Sequence, residues 1–156
     1  MKLLFRQQPS FIFLFYVTNQ NNELVYIIKR KMSIMYQLYI YDAHENIVAK
    51  IKEDSQSAAF FIYKKDEYIG AIEKEFSYFI PYFLLDYRKW NVSGEYVEYN
   101  YEVKDENNYL IGRIEKRSWN ILDTYDISVD LEENILDFVI LTTVIDIEKA
   151  RRNRHY

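Results

Sequence analysis

Ile135-Leu136-Asp137-Phe138-Val139-Ile140-Leu141-Thr142-Thr143-Val144-Ile145-Asp146-Ile147 is the stretch whose reading decides the fold. Its apolar residues occupy every side of a helical wheel, and its two aspartates, nine positions apart, fall on opposite sides of it. A helix that is apolar all round has to be enclosed by protein or by lipid. The uncharged part, residues 138 to 145, is only eight residues long, far short of the roughly 20 needed to span a bilayer. Protein must therefore surround it. Asp130, with Glu133 three residues on, resembles a capping box, and Lys149, Arg151, Arg152 and Arg154 suit the negative end of a helix dipole. These signals predict a helix over residues 131 to 149 and a basic tail over 150 to 156.

The surrounding material is β. The chain of 156 residues has 16 Tyr, 10 Phe, 19 Ile and 9 Val against 6 Ala, a mixture that fits pleated sheet better than helix. Four segments align: Leu24-Val25-Tyr26-Ile27-Ile28-Lys29-Arg30, Ile47-Val48-Ala49-Lys50-Ile51-Lys52-Glu53, Tyr68-Ile69-Gly70-Ala71-Ile72-Glu73-Lys74 and Leu110-Ile111-Gly112-Arg113-Ile114-Glu115-Lys116. Each has Ile in fifth place followed by two charges. The Ile spacings are 23, 21 and 42, so a degenerate copy is expected near residues 90 to 95. Ahead of each copy lies turn chemistry: Asn19 to Asn22, Asp42 to Asn46, Lys64 to Glu67, and Asp105 to Asn108. Short β-rich runs at 13–18, 38–41, 60–63 and 101–104 precede those turns, and further runs lie at 3–7, 82–85, 90–93 and 124–129. About twelve strands result. A barrel of more than about eight strands has a lumen too wide for its own side chains to fill, and the apolar helix is the filling it needs. The expected architecture is a single domain over residues 1–156: a mainly β, roughly twelve-stranded antiparallel barrel of consecutive hairpins around a hydrophobic C-terminal helix. A solenoid or a propeller of three or four blades fits the period less well.

Composition also limits function. Twenty Lys and Arg against 24 Asp and Glu give a net charge of −4, which argues against nucleic acid as a partner. The absence of cysteine excludes disulfides and thiolate chemistry and favours the cytoplasm. Met1-Lys2 and the apolar run 11–17 have no small-residue cleavage site after them, and the longest charge-free stretch, from Gln7 to Asn22, is 16 residues and contains Asn and Gln. Neither a signal peptide nor a transmembrane segment is expected.

The residues resemble the LURP-one-related family of the Tubby C-terminal-like superfamily, which includes the phospholipid scramblases. The resemblance rests on Met1-Lys2-Leu3-Leu4-Phe5-Arg6-Gln7, on Ile40-Tyr41-Asp42 with residues 47–51, on Trp90-Asn91-Val92-Ser93-Gly94, and on Ile111-Gly112-Arg113-Ile114-Glu115-Lys116-Arg117-Ser118-Trp119 followed by Asp123-Thr124-Tyr125. It covers nearly the whole chain and implies a twelve-stranded barrel around a central helix. It also brings to mind lipid, since Tubby domains bind phosphoinositides and scramblases associate with membranes. The chain departs from the family in carrying Asn-Asn turns in place of Gly turns, and Ser33-Ile34-Met35-Tyr36 where the family often has Phe-Ser-x-Gly-Asp.

Signals for catalysis are missing. His44 sits in a turn and His155 next to the end, no His pair has metal spacing, and three Gly leave little material for a phosphate loop. No cofactor and no metal are expected. Asp130, Glu132, Glu133 and Asp137 cluster at the helix start, where capping explains them better than a calcium site. Asp137 and Asp146, if enclosed, need partners, with barrel backbone or a Lys or Arg as the expected ones. The dense basic groups are Lys29-Arg30-Lys31 and Arg151, Arg152 and Arg154; alternation puts Lys29 and Lys31 on one face and Arg30 on the other. They are the candidate contacts for anionic lipid headgroups. The expected function is a non-enzymatic interaction module whose exterior meets a protein partner or an anionic membrane surface. The alternatives are a phosphoinositide, phospholipid or small hydrophobic ligand binder of the Tubby or scramblase kind, and an unrecognised hydrolase.

Overall fold

A computed structural model of the chain describes all residues except 11–12, 32–36, 55, 58, 78–79, 95–98 and 155–156; for residues 31, 76–77, 80–81 and 151–154 it describes the backbone alone. Twelve strands follow in order: β1 (Lys2–Gln7), β2 (Leu14–Thr18), β3 (Leu24–Lys31), β4 (Gln37–Asp42), β5 (Ile47–Glu53), β6 (Ala59–Lys64), β7 (Glu67–Ser77), β8 (Ile80–Leu85), β9 (Asn91–Gly94), β10 (Asn100–Lys104), β11 (Leu110–Lys116) and β12 (Thr124–Val129). Each pairs antiparallel with its neighbour in sequence, and β1 closes the ring on β12 with Phe5 opposite Tyr125. The expected barrel of hairpins is what forms. Among the described residues, closure leaves no open sheet edge to recruit another strand.

The Ile repeat is the inward register mark. Ile28, Ile51, Ile72 and Ile114 are all at most 1% exposed, and the degenerate copy is Val92 in β9, fully buried. They face α1 (Ile135–Arg154), which threads the lumen. Every residue from 137 to 149 of this helix is buried, and each Ile, Leu, Val or Phe so enclosed contributes about 1.5–3 kcal/mol relative to exposure. The two threonines in its middle satisfy themselves, Thr142 Oγ1 donating to the Phe138 carbonyl at 2.7 Å and Thr143 Oγ1 to that of Val139 at 2.8 Å. Gly112 is where wall and filling meet most closely. A Cβ there would lie 2.4 Å from the Phe138 ring and 2.4 Å from the Ser128 carbonyl oxygen, so only glycine leaves the ring its place.

One rim, here the front rim, carries the turns between β2 and β3, β4 and β5, and β10 and β11, and all three are built alike. In each, a leading Asn or Asp side chain accepts from the backbone N–H groups two and four residues on: Asn19 from Asn21 and Glu23, Asp42 from His44 and Asn46, Asp105 from Asn107 and Tyr109. The fourth residue is left-handed, with φ of 62° at Asn22, 66° at Glu45 and 68° at Asn108. Asn and Asp support such turns without glycine because their side chains replace the missing backbone partners. The hydrogen bonds hold the Asp42 carboxyl below its ordinary range. The turn between β6 and β7 is different, with positive φ at both Lys65 and Asp66, the pattern of a two-residue type I′ hairpin. Residues 33–36, the other departure from the family pattern, lie outside the described residues.

The helix boundaries differ from those the sequence implies. Residues Glu132–Asn134 form a 3₁₀ turn, and the α-helix starts at Ile135. Asp130 does not close a capping box: its Oδ1 accepts from the Leu131 N–H at 2.7 Å and from Asn134 Nδ2 at 3.3 Å, and Leu131 is extended. At the other end, Ala150, Arg151, Arg152, Asn153 and Arg154 contain neither Gly nor Pro, so nothing stops the helix at 149. It runs on to Arg154, and the expected basic tail is helical that far.

Candidate functional site

Inward register decides what the wall shows outside. With Ile28 inward, Lys29 points out; with Ile51 inward, Lys50 and Lys52 point out; Leu38 and Ile40 inward turn Tyr39 and Tyr41 outward, and Phe60 and Ile62 do the same for Tyr63. Strand pairing then aligns Lys29 opposite Tyr39, Tyr39 opposite Lys50, and Lys50 opposite Tyr63, a row of alternating cations and phenols across four strands. Lys29 Nζ lies 5.2 Å from the Tyr41 ring centroid, Lys50 Nζ 5.6 Å from Tyr39 and 5.7 Å from Tyr63, and Lys52 Nζ 5.0 Å from Tyr63. These are cation–π distances. Between Tyr39, Ile47, Lys50, Tyr63, Lys65 and Asp66 is a cleft of about 90 Å³. Asp66, 3.8 Å from Lys50, is an acid at its edge. The rings stand beside the lysine ammonium groups along the wall.

Of the residues singled out in sequence, Lys29 stands in this row. Arg30 is half-buried on the opposite, inward side of β3, as alternation requires. Lys31, Arg151, Arg152 and Arg154 have their backbones in β3 and α1, and their side chains lie outside what is described. The backbone of β3 brings Lys31 to the rear end of its strand, and the backbone of α1 carries the arginines out at the same rim. Lys50 and Lys52 escaped the reading because they belong to a different repeat copy and meet Lys29 only through barrel register. Their spacing of two, on a strand with buried Ile51 between them, was the signal available. His44 is exposed in its turn, with its N–H donated to Asp42, and His155 lies outside the described residues. Among the described residues no group of three His, Asp or Glu side chains is placed to hold a metal ion.

The interior holds two acids in unlike settings. Near the front rim, Asp137 is 1% exposed and meets two cations, Arg88 Nη2 at 2.6 Å from Oδ2 and Lys64 Nζ at 2.7 Å from Oδ1, the latter an ionic contact without hydrogen-bond alignment. The β8–β9 connection delivers Arg88. Asp86 Oδ1 accepts from the Ala71 N–H at 2.6 Å, the Tyr87 side chain packs over Gly70, whose φ is 152°, and the guanidinium lies 5.0 Å from the Trp90 ring centroid. Towards the rear rim, Asp146 accepts from the Tyr125 hydroxyl at 2.8 Å, and Asp123 pairs with Lys149 at 2.6 Å. Burial, with the Asp123 charge next, raises the Asp146 carboxyl to about 7, and the same burial pushes the Tyr125 phenol up. The expected partner of each acid is barrel backbone or a Lys or Arg. Asp137 has two cations, whereas Asp146 takes a hydrogen bond from a phenol of the wall and feels the Lys149 ammonium as a partial offset to its burial. An acid that titrates near neutrality resembles a general acid in its pKa, yet Asp146 is 3% and Tyr125 0% exposed.

A model of the LURP-one-related family matches residues 1–146 of the chain. Among solved structures, the chain is similar to the X-ray structure of a protein from Arabidopsis thaliana, with 12% identity over 96% of this chain and 91% of that one and a TM-score of 0.62, a likeness of fold. No curated protein matches the chain. No helix among the described residues is long and apolar enough to cross a membrane.

Proposed function

The chain belongs to the LURP-one-related family, and on that premise we propose that it is a binding module without catalytic activity that meets an anionic phospholipid surface on the outer wall of β3 to β6. The observation that carries this reading is the row of Lys29, Tyr39, Lys50 and Tyr63, flanked by Lys52. It forms a local basic face on a protein of net charge −4. The helix-filled lumen supports an exterior site, because the space where a Tubby-like barrel could enclose a ligand is taken by side chains from 137 to 149. The burial of Asp146 and Tyr125 speaks against a hydrolase that would use them. A cytoplasmic setting accords with the absence of cysteine.

Sedimentation with vesicles tests the reading. The protein should pellet with phosphatidylcholine vesicles containing phosphatidylserine at low salt, and the bound fraction should fall as salt shortens the screening length. Lys50→Glu with Lys52→Glu should remove most of it, since each cation near such a surface is worth about 1 kcal/mol. Retention of binding by that double variant, or no pelleting at low salt, would remove the wall as the site.

A further inference from the structure

The connection between β11 and β12 exposes two large apolar side chains at its tip. Trp119 is 96% exposed and Ile121 is 102% exposed, whereas tryptophan is normally among the more buried residues. The stem below them is held on both sides. Arg117 makes a two-pronged pair with Asp126, Nε at 2.8 Å and Nη2 at 2.9 Å, and its N–H donates to the Thr124 carbonyl at 2.8 Å. Asp123 accepts the Lys149 ammonium at 2.6 Å and donates its N–H to Gln7 Oε1 at 3.1 Å. Trp119 and Ile121 are therefore held out in water from a fixed base.

Charge around the tip points to what covers it. Residues 117–122 contain no acid, and the acids that flank them, Asp123 and Asp126, are engaged with Lys149 and Arg117. Through the same rim the last turns of α1 leave the lumen, and beyond Lys149, which pairs with Asp123, residues 150–154 carry three cations and no acid. Tryptophan favours the headgroup level of a bilayer, and lasting attachment of a peripheral protein takes an apolar signal and a basic one together.

We propose that the 117–123 connection is a membrane-insertion tip, with Trp119 and Ile121 entering the headgroup region of an anionic bilayer beneath the basic end of α1. This rests on the anionic-lipid reading proposed above and names a second point of contact, at the rear rim, since the β11–β12 connection lies across the ring from the wall of β3 to β6.

Tryptophan emission of the full chain tests it, since Trp90, packed at 5.2 Å from the Phe138 ring, serves as an internal reference. With phosphatidylcholine–phosphatidylserine vesicles, the wild-type emission should shift to the blue and be quenched by acyl-chain-brominated lipid. Trp119→Phe, which keeps Trp90, should show neither change. Trp119→Ser with Ile121→Ser should bind about tenfold more weakly with unchanged thermal melting, because the tip packs on nothing. Protein that pellets with the vesicles while Trp119 stays as open to iodide as in free protein would overturn the insertion tip and leave the binding wall standing. Protection of Trp119 that grows with protein concentration without vesicles would also overturn it, by showing that a second copy covers the tip. Absence of any pelleting would sink both readings together.

Discussion

The front and rear rims of the barrel each bury one aspartate of the same helix, and they stabilise it by opposite means. At the front rim Asp137 is clasped by Lys64 and Arg88, both of which reach solvent. Towards the rear, Asp146 is shielded by Tyr125 and lies near the negative Asp123, so burial and repulsion favour its protonated form. The lesson is that a buried carboxylate takes its state from the wall opposite it. Helical position alone distinguishes nothing.

The sharpest way to break this contrast is at the front rim. Lys64→Met with Arg88→Met leaves Asp137 buried without a cation and should cost about 3–5 kcal/mol, read from the denaturation midpoint. Adding Asp137→Asn should recover most of that loss, as no charge is then stranded. A change under about 1 kcal/mol in the double variant would mean that the clasp is not what holds the acid.

At the rear the expected effect runs through pH. Because the folded state raises the Asp146 pKa from 3.8 to about 7, it binds more protons than the unfolded chain between those values. The contribution of this acid to stability is complete below pH ~4 and is lost as pH rises through about 7, by a few kcal/mol. Asp146→Asn should flatten that part of the stability profile. An unchanged slope in Asp146→Asn would show that other groups set it.

Closer to the front clasp, Gly112→Ala should cost about 1–3 kcal/mol by overpacking, because the new methyl meets the Phe138 ring one residue beyond Asp137. Phe138→Leu in the same chain should return part of it. The smallest effect belongs to the front-rim turns. Glu45 occupies the left-handed position that Asn fills in the two sister turns, so Glu45→Asn should raise stability by about 0.5–1 kcal/mol, measured by thermal melting.

Much of this molecule was legible in its sequence. The repeat gave the period of the hairpins, Asn and Asp marked the turns, and a helix without a polar side required something to enclose it. What stayed hidden depends on which strands become neighbours. Lys29 and Lys50 are 21 residues apart and come together only because Tyr39 pairs with both. Tyr125 faces inward by its place in β12, which no local property of the residue reveals. The helix start was misread because Asp130 spends its oxygen on Leu131 and Asn134, a choice between equally available local donors.

The whole account depends on α1 remaining inside the barrel, because a lumen that emptied would offer an interior site in place of the outer wall. Amide hydrogen exchange of Val139 to Ile147, followed against denaturant, decides it. These amides should exchange only through global unfolding, with the same free energy and denaturant dependence as those of β1 and β12. Exchange of the helix through a smaller opening, while the strands stay protected, would show that the filling can leave and would contradict the account.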